Sequence, residues 1–320
     1  GGDERGGGGR GRGRGGGGGR PVITQGGGAE GDEPPKPSSS DRKAGRRAAQ
    51  QATVDRKGKE IADYFFRMRA EEARRSPAPG AGPGSEGDAL AIARELFDDA
   101  NHGSSGIRFD DYASVPVERS GPGEEVKGGP APLASFDELA GGAFAGVPAF
   151  VLENVKRCRY DKPTPIQAHA VPLALDGRND LMCCAQTGSG KTCGFLLPVI
   201  ARLATAEDIC AAAESGLRPA SPAALVLAPT RELAIQIHHE ARRLVFNVNT
   251  EGGGGGGACF RSVVVYGGAD AKGQLQELAR GVDVLVATPG RLTEFVDRGV
   301  VSLAKVKHLV LDEADRMLDM

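Results

Sequence analysis

Leu181-Met182-Cys183-Cys184-Ala185-Gln186-Thr187-Gly188-Ser189-Gly190-Lys191-Thr192 is an apolar run of strand length, then a glycine-rich turn, then the start of an amphipathic helical stretch. A loop in that context can wrap phosphate. Its glycines let backbone N–H groups turn inward, and the helix N-terminus behind them adds partial positive charge. Lys191 is placed to reach the β- and γ-phosphates of a nucleoside triphosphate, and Thr192 to coordinate Mg2+. Ala185 stands where the general pattern has Gly.

Outward from this loop, apolar runs of strand length alternate with helical patterns. Residues 181–185, 224–228, 262–266, 282–287 and 306–311 read as strands, rich in Val and Leu and largely non-alternating, as strands buried on both faces are. Helical spacing falls near 192–204, 231–245, 271–280 and 291–297. The alternation predicts an α/β fold with a doubly wound parallel sheet and ligands at the carboxyl ends of its strands. The last strand delivers Leu311-Asp312-Glu313-Ala314-Asp315. Asp312 is placed to hold the Mg2+ shell, and Glu313 to orient and deprotonate an attacking water. An acidic strand end on its own is usually a solvated turn, but beside a phosphate loop in one sheet it reads as a metal site.

The chain ahead of this region is of different composition. Of 320 residues 49 are Gly and 20 are Pro, many of them before Pro132, so residues 1–131 are expected to be mostly disordered. The net charge of −2 averages opposite segments: Arg5, Arg10, Arg12, Arg14 and Arg20 sit in poly-Gly near the start. They read either as a flexible linker or as an arm that binds RNA through phosphate charge and stacking. Within 41–75, Ile61, Tyr64, Phe65 and Met68 recur at helical spacing, which fits an amphipathic helix with a partner or a transient helix without one. Residues 106–118 carry a second apolar patch that could dock on the folded domain. The poly-Gly run 252–257 reads as a loop insertion, where added length costs little.

Six cysteines make no C-x-x-C pair, and no His lies at ligand spacing. The expectation is reduced core thiols in an intracellular protein, Cys183 and Cys184 included, with no metal held by Cys. No apolar stretch approaches the roughly 20 residues of a membrane span. The chain starts on Gly and stops in a helical pattern at Met320, which reads as a fragment at both ends.

With both elements in place the sequence resembles the DEAD-box RNA helicases, whose motif stands literally at Asp312-Glu313-Ala314-Asp315. The resemblance covers 136–320 and implies a RecA-like P-loop lobe spanning 132–320, truncated after this motif, with ATP and Mg2+ as cofactors. Tyr160-Asp161-Lys162-Pro163-Thr164-Pro165-Ile166-Gln167 is similar to the family's Q motif, which implies that Tyr160 stacks on adenine and Gln167 reads its edge, favouring ATP over GTP. Phe136 is the candidate for the isolated aromatic ahead of that motif. Pro229-Thr230-Arg231 resembles motif Ia, Gly267-Gly268 the glycine doublet, and Thr288-Pro289-Gly290-Arg291 motif Ib. The resemblance implies that Pro229, Thr230, Arg231, Gly267, Gly268, Thr288, Gly290 and Arg291 contact single-stranded RNA without reading its sequence. It implies a role for Asp315 in coupling the lobes.

Within the family, 181–184, 106–112 and the Arg-Gly arm resemble the subgroup containing vasa and the Ded-type translation helicases. That implies translation initiation, granule proteins as partners, no membrane, and a cytoplasmic location with granules and nuclear visits both open. The family's Ser-Ala-Thr motif, its second lobe and the arginine finger lie outside these 320 residues. The expectation is therefore weak nucleotide binding, very slow hydrolysis and no unwinding by this polypeptide alone. Two rival readings are an RNA-binding granule scaffold without turnover and a P-loop helicase acting on DNA. Intact Lys191, Asp312 and Glu313 oppose the first; Gln167 and the literal Asp-Glu-Ala-Asp oppose the second.

Overall fold

The structure is a computed structural model that describes residues 39–75, 86–97, 116–121, 129–141, 147–205, 218–246 and 260–319. The chain divides into two units, Gly1–Gln51 and Ala52–Met320. The described residues of the first unit are helical, the opening turns of helix α1 (Ser39–Arg75).

In the second unit a four-stranded parallel sheet runs in the order β2-β3-β1-β4, with β1 Ala224–Leu227, β2 Ser262–Val265, β3 Val284–Ala287 and β4 His308–Leu311. Side chains alternate across it. Ala224, Val226, Val284 and Val286 join one core with Leu196, Leu197, Ile200 and Ile237. Leu225, Leu285, Val263 and Val265 join a second with Leu275, Leu278 and Phe295. The first core is covered by helices α3 (Ala149–Arg157), α4 (Pro165–Asp176), α5 (Lys191–Ala204) and α6 (Arg231–Leu244). The second is covered by α7 (Ala271–Ala279) and α8 (Pro289–Asp297). Helices on both faces of a parallel sheet make the doubly wound α/β fold expected from the sequence.

The helix starts follow capping chemistry. Thr164 accepts from the Gln167 N–H while the Gln167 side chain reaches back to the Thr164 N–H, and Pro165 follows at the first helical position. Thr230 caps α6 through the Leu233 N–H, and Asp270 caps α7.

Three expectations need correction. Residues 181–185 form no strand, because no described strand lies beside them to complete a hydrogen-bond ladder. Cys183 and Cys184 are consequently exposed rather than core thiols, and Met182 is 92% exposed. Cys158 and Cys193 are buried as expected, whereas Cys210 and Cys259 lie outside the described residues. The last strand is not buried on both faces either. Leu309 and Leu311 on β4 are 59% and 52% exposed, since nothing among the described residues pairs with its outer edge.

The helix read over 41–75 has a partner within its own chain. Phe65 is fully buried in the second core, with Ile61, Tyr64, Phe66 and Met68 packed against it. Arg69 donates to the Ala279 carbonyl at 3.0 Å, placing a cation on the carboxyl end of α7. Glu72 accepts from Arg280 at 3.0 Å. Helix α2 (Glu86–Phe97) packs on α6 through buried Leu96, an edge-to-face pair of Phe97 and Phe246, and Glu95 paired with Arg242 at 2.8 Å. Of the 106–118 patch, residues 106–115 lie outside the described residues. Just beyond it, Arg119 donates to His169 Nδ1 at 2.8 Å and to the Pro130 carbonyl at 3.0 Å. The 252–257 run also lies outside the described residues. No described helix is long and apolar enough to cross a membrane.

Candidate nucleotide site

The loop before α5 closes on itself. Gly188 and Gly190 have φ of 82° and 86°, a left-handed backbone that any side chain would strain. Gly190 is further constrained by space, since a Cβ there would lie 2.5 Å from Gln167 Nε2. Gln167 is the brace: its Oε1 accepts from Thr164 N at 3.0 Å and its Nε2 donates to Gly190 O at 3.1 Å. The Lys191 ammonium folds over the loop, donating to Ala185 O at 2.6 Å and Gln186 O at 3.0 Å. The Ser189 hydroxyl is buried and has no hydrogen-bond partner. An orphaned hydroxyl, a lysine and a helix N-terminus converge here, a donor set that suits a polyphosphate. Gln186, Thr187 and Gly188 stand exposed, Thr192 half-buried.

Asp312 follows the last residue of β4, and its N–H donates to Leu227 O at 3.0 Å, fixing the carboxyl end of β4 against β1. Asp312 Oδ1 accepts from the Glu313 N–H at 3.1 Å. Burial pushes the Asp312 carboxyl above its ordinary value; the Glu313 N–H opposes, the Glu313 carboxylate adds, and the Lys191 ammonium opposes. Glu313 holds φ 50°, ψ 49°, an unusual conformation for a non-glycine residue, and pairs with Arg316 at 2.9 Å. Asp315 is exposed on the short helix α9 (Ala314–Leu318).

The strand register lines up the remaining candidates. Val265 pairs with Ala287, Ala287 with Leu227, and Leu227 with Leu311, so all four strands end in one row. At about 4.8 Å per strand, the row spans roughly 15 Å. Gly267-Gly268, Thr288–Gly290, Pro229–Arg231 and Asp312-Glu313 thus share one edge of the sheet, in that order. Gly267, Gly268, Gly290 and Arg231 are exposed; Pro229, Thr230 and Thr288 are half-buried. Arg231 stacks over Tyr266 at 5.0 Å. Arg291 is turned inward, donating to Ala269 O at 3.1 Å and lying near Glu294 and the Phe295 ring, so it braces the loop instead of facing outward.

Tyr160 and Gln167 come from the two ends of one segment but point differently. Tyr160 is half-buried, and its hydroxyl donates to Glu240 on α6. Phe136 is buried at 5% in the first core, in the 3-10 turn Phe136–Ala140, and not on the surface. A groove of about 700 Å3 runs beside the loop, lined by Pro116, Arg119, His169, Leu173, Met182 and Ser189 among others. Sequence reading missed Arg119, His169 and Glu240, because their relations join residues 50 and 80 positions apart.

Residues 164–320 match the family model described as DEAD/DEAH box helicase. The chain is similar to the RNA-helicase Prp28 from Chaetomium thermophilum, solved bound to ADP, at 30% identity and a TM-score of 0.50, covering 76% of this chain and 48% of that one. It is similar to the yeast DEAD-box splicing factor Prp28 at 28% identity and a TM-score of 0.52, covering 74% of this chain and 45% of that one. The chain spans about half the length of these solved relatives.

Proposed function

We propose that the chain is a DEAD-box RNA helicase, the family whose model matches residues 164–320, and that its lobe binds ATP as one half of an ATP-dependent RNA helicase. The observation that carries this reading is the glycine turn ahead of α5, where the Lys191 ammonium, the unpartnered Ser189 hydroxyl and the helix N-terminus converge. In this reading the loop from Ala185 to Thr192 takes the phosphates. Lys191 exchanges its two carbonyl partners for phosphate oxygens, and the Ser189 hydroxyl gains an acceptor. Tyr160 and Gln167 take the base. Gln167 then links base and phosphates, because the same amide already holds Gly190.

The residues present fit a Mg2+ ion only as part of a nucleotide complex. No cluster of three His, Cys, Asp or Glu side chains exists among the described residues; Thr192 and Asp312 would hold the ion together with the nucleotide. When bound, the ion supplies charge neutralisation to the transferring phosphoryl group. Glu313, held in its left-handed turn beyond β4, accepts the proton of the attacking water. The loops at 229–231, 267–268 and 288–291 carry single-stranded RNA by phosphate contacts, Arg231 directly and Arg291 through loop support. Asp315, exposed beyond the strand, faces the second lobe of the complete enzyme.

We read the protein's biology as that of the vasa and Ded-type subgroup: translation initiation, granule proteins as partners and a cytoplasmic place. The support is 181–184 and the Arg-Gly arm. A splicing role is the second reading, favoured by the two Prp28 structures. The test is Mg2+-ATP binding and RNA-stimulated hydrolysis, with Lys191→Ala abolishing the first and Glu313→Gln the second. Equal stimulation by DNA of the same sequence overturns the RNA assignment. A polypeptide of these 320 residues binds ATP but turns it over slowly, since the arginine finger belongs to the other lobe.

A further inference from the structure

Glu240 is a largely buried acid that the phosphate chemistry does not use. Its side chain is 11% exposed and sits between two groups of different origin. The Tyr160 hydroxyl donates to it from the segment ahead of α4, and the Arg243 guanidinium lies 3.6 Å away on its own helix. Cys158 and Cys193 are buried thiols, and burial, aided by the Glu240 charge, pushes the Cys158 thiol up to about 12. Cys193 is in the first turn of α5, one residue beyond Thr192, and Tyr160 packs against the core cluster that contains it.

Arg243 extends this arrangement outward. Its Nε donates to the Leu96 carbonyl of α2 at 2.9 Å, and neighbouring Arg242 pairs with Glu95 at 2.8 Å. Leu96 is 3% exposed, and Phe97 meets Phe246 edge to face at 5.3 Å. One chain of contacts thus runs from α2 through Arg243 and Glu240 to the Tyr160 ring.

We propose that Glu240 is a positioning residue for the base site, fixing the Tyr160 ring, and that docking of α2 on α6 holds Glu240 in place through Arg243. The N-terminal helix then tunes nucleotide affinity without touching nucleotide. This rests on the reading that Tyr160 receives adenine.

The test uses the full chain and two probes, Mg2+-ATP and Mg2+-tripolyphosphate, titrated on wild type, Glu240→Leu, Tyr160→Phe, the double variant and Arg243→Gln. Losing the Tyr160–Glu240 bond weakens ATP on the order of three- to tenfold, as for one buried hydrogen bond. Tripolyphosphate stays within about twofold, because its loop is untouched. The double variant binds ATP no more weakly than either single, the sign that both act through one contact. Arg243→Gln reproduces part of the loss, as does Leu96→Ala, which loosens α2 from the opposite side. A merely structural role shifts both probes alike and sinks the proposal. Wild-type ATP affinity in Glu240→Leu sinks it too, while leaving the ATP reading intact. Failure of wild type to bind ATP removes both.

Discussion

Replacing Gly190 by Ala separates two costs that the structure assigns to one residue. Gly188 and Gly190 both hold left-handed φ, 82° and 86°. Alanine at either position costs about 1–2 kcal/mol of backbone strain, partly offset by a stiffer unfolded chain. At Gly188 a Cβ meets nothing within 4 Å, so strain is the whole effect on the unliganded fold. At Gly190 it lands 2.5 Å from Gln167 Nε2 and 3.3 Å from Thr164 Oγ1. Gln167 must leave, and with it go the bond to Gly190 O and one half of the α4 cap. That adds about 1–2 kcal/mol. At about 2–4 °C per kcal/mol, Gly190→Ala melts roughly 2–8 °C below Gly188→Ala. The assay is thermal unfolding of the full chain without nucleotide. In a Gln167→Ala background the clash is gone, and the two glycine variants then cost the same. Equal melting temperatures in the wild-type background refute the brace.

Phe65→Ala empties a fully buried site at the seat of α1 and costs about 3–4 kcal/mol or undocks the helix; faster amide exchange over 58–72 reports which. Asn154→Leu strips the Leu244 and Phe246 carbonyls of a buried donor at 2.9 and 2.7 Å, costing about 2–4 kcal/mol in denaturant unfolding. Asp312→Asn raises the melting temperature at pH 7. A carboxyl raised above 3.8 stabilises the fold only while protonated, so the gain vanishes as pH falls through that range. His238, lowered to about 4 chiefly by burial and then by Arg242, acts oppositely. Its folded form resists protonation, so stability present above pH 6.5 is lost toward pH 4, and His238→Asn flattens that slope.

What the sequence made legible was local. The Gly188–Gly190 turn, the Thr164 and Thr230 caps, and the apolar runs of β1 and β3 obey rules that span a few residues, and each appears near its expected place. What it hid was pairing at a distance. Residues 181–185 have the composition of a buried strand, yet strand status needs a neighbour, and composition does not report one. Ile61, Tyr64, Phe65 and Met68 announced an apolar helix face, but not that α7 and α8 would receive it. Glu240 gave no signal: an acid in a helix rich in charge looks solvated until Tyr160, 80 positions earlier, is seen to bond it.

In the proposed function Lys191 and Asp312 serve one nucleotide-metal complex. The most direct measurement is ATP affinity with and without Mg2+ in wild type, Lys191→Ala and Asp312→Asn. The account predicts that Lys191→Ala loses ATP under both conditions, while Asp312→Asn loses only the strengthening that Mg2+ confers. Unchanged affinity in Lys191→Ala, or a full Mg2+ effect in Asp312→Asn, contradicts it.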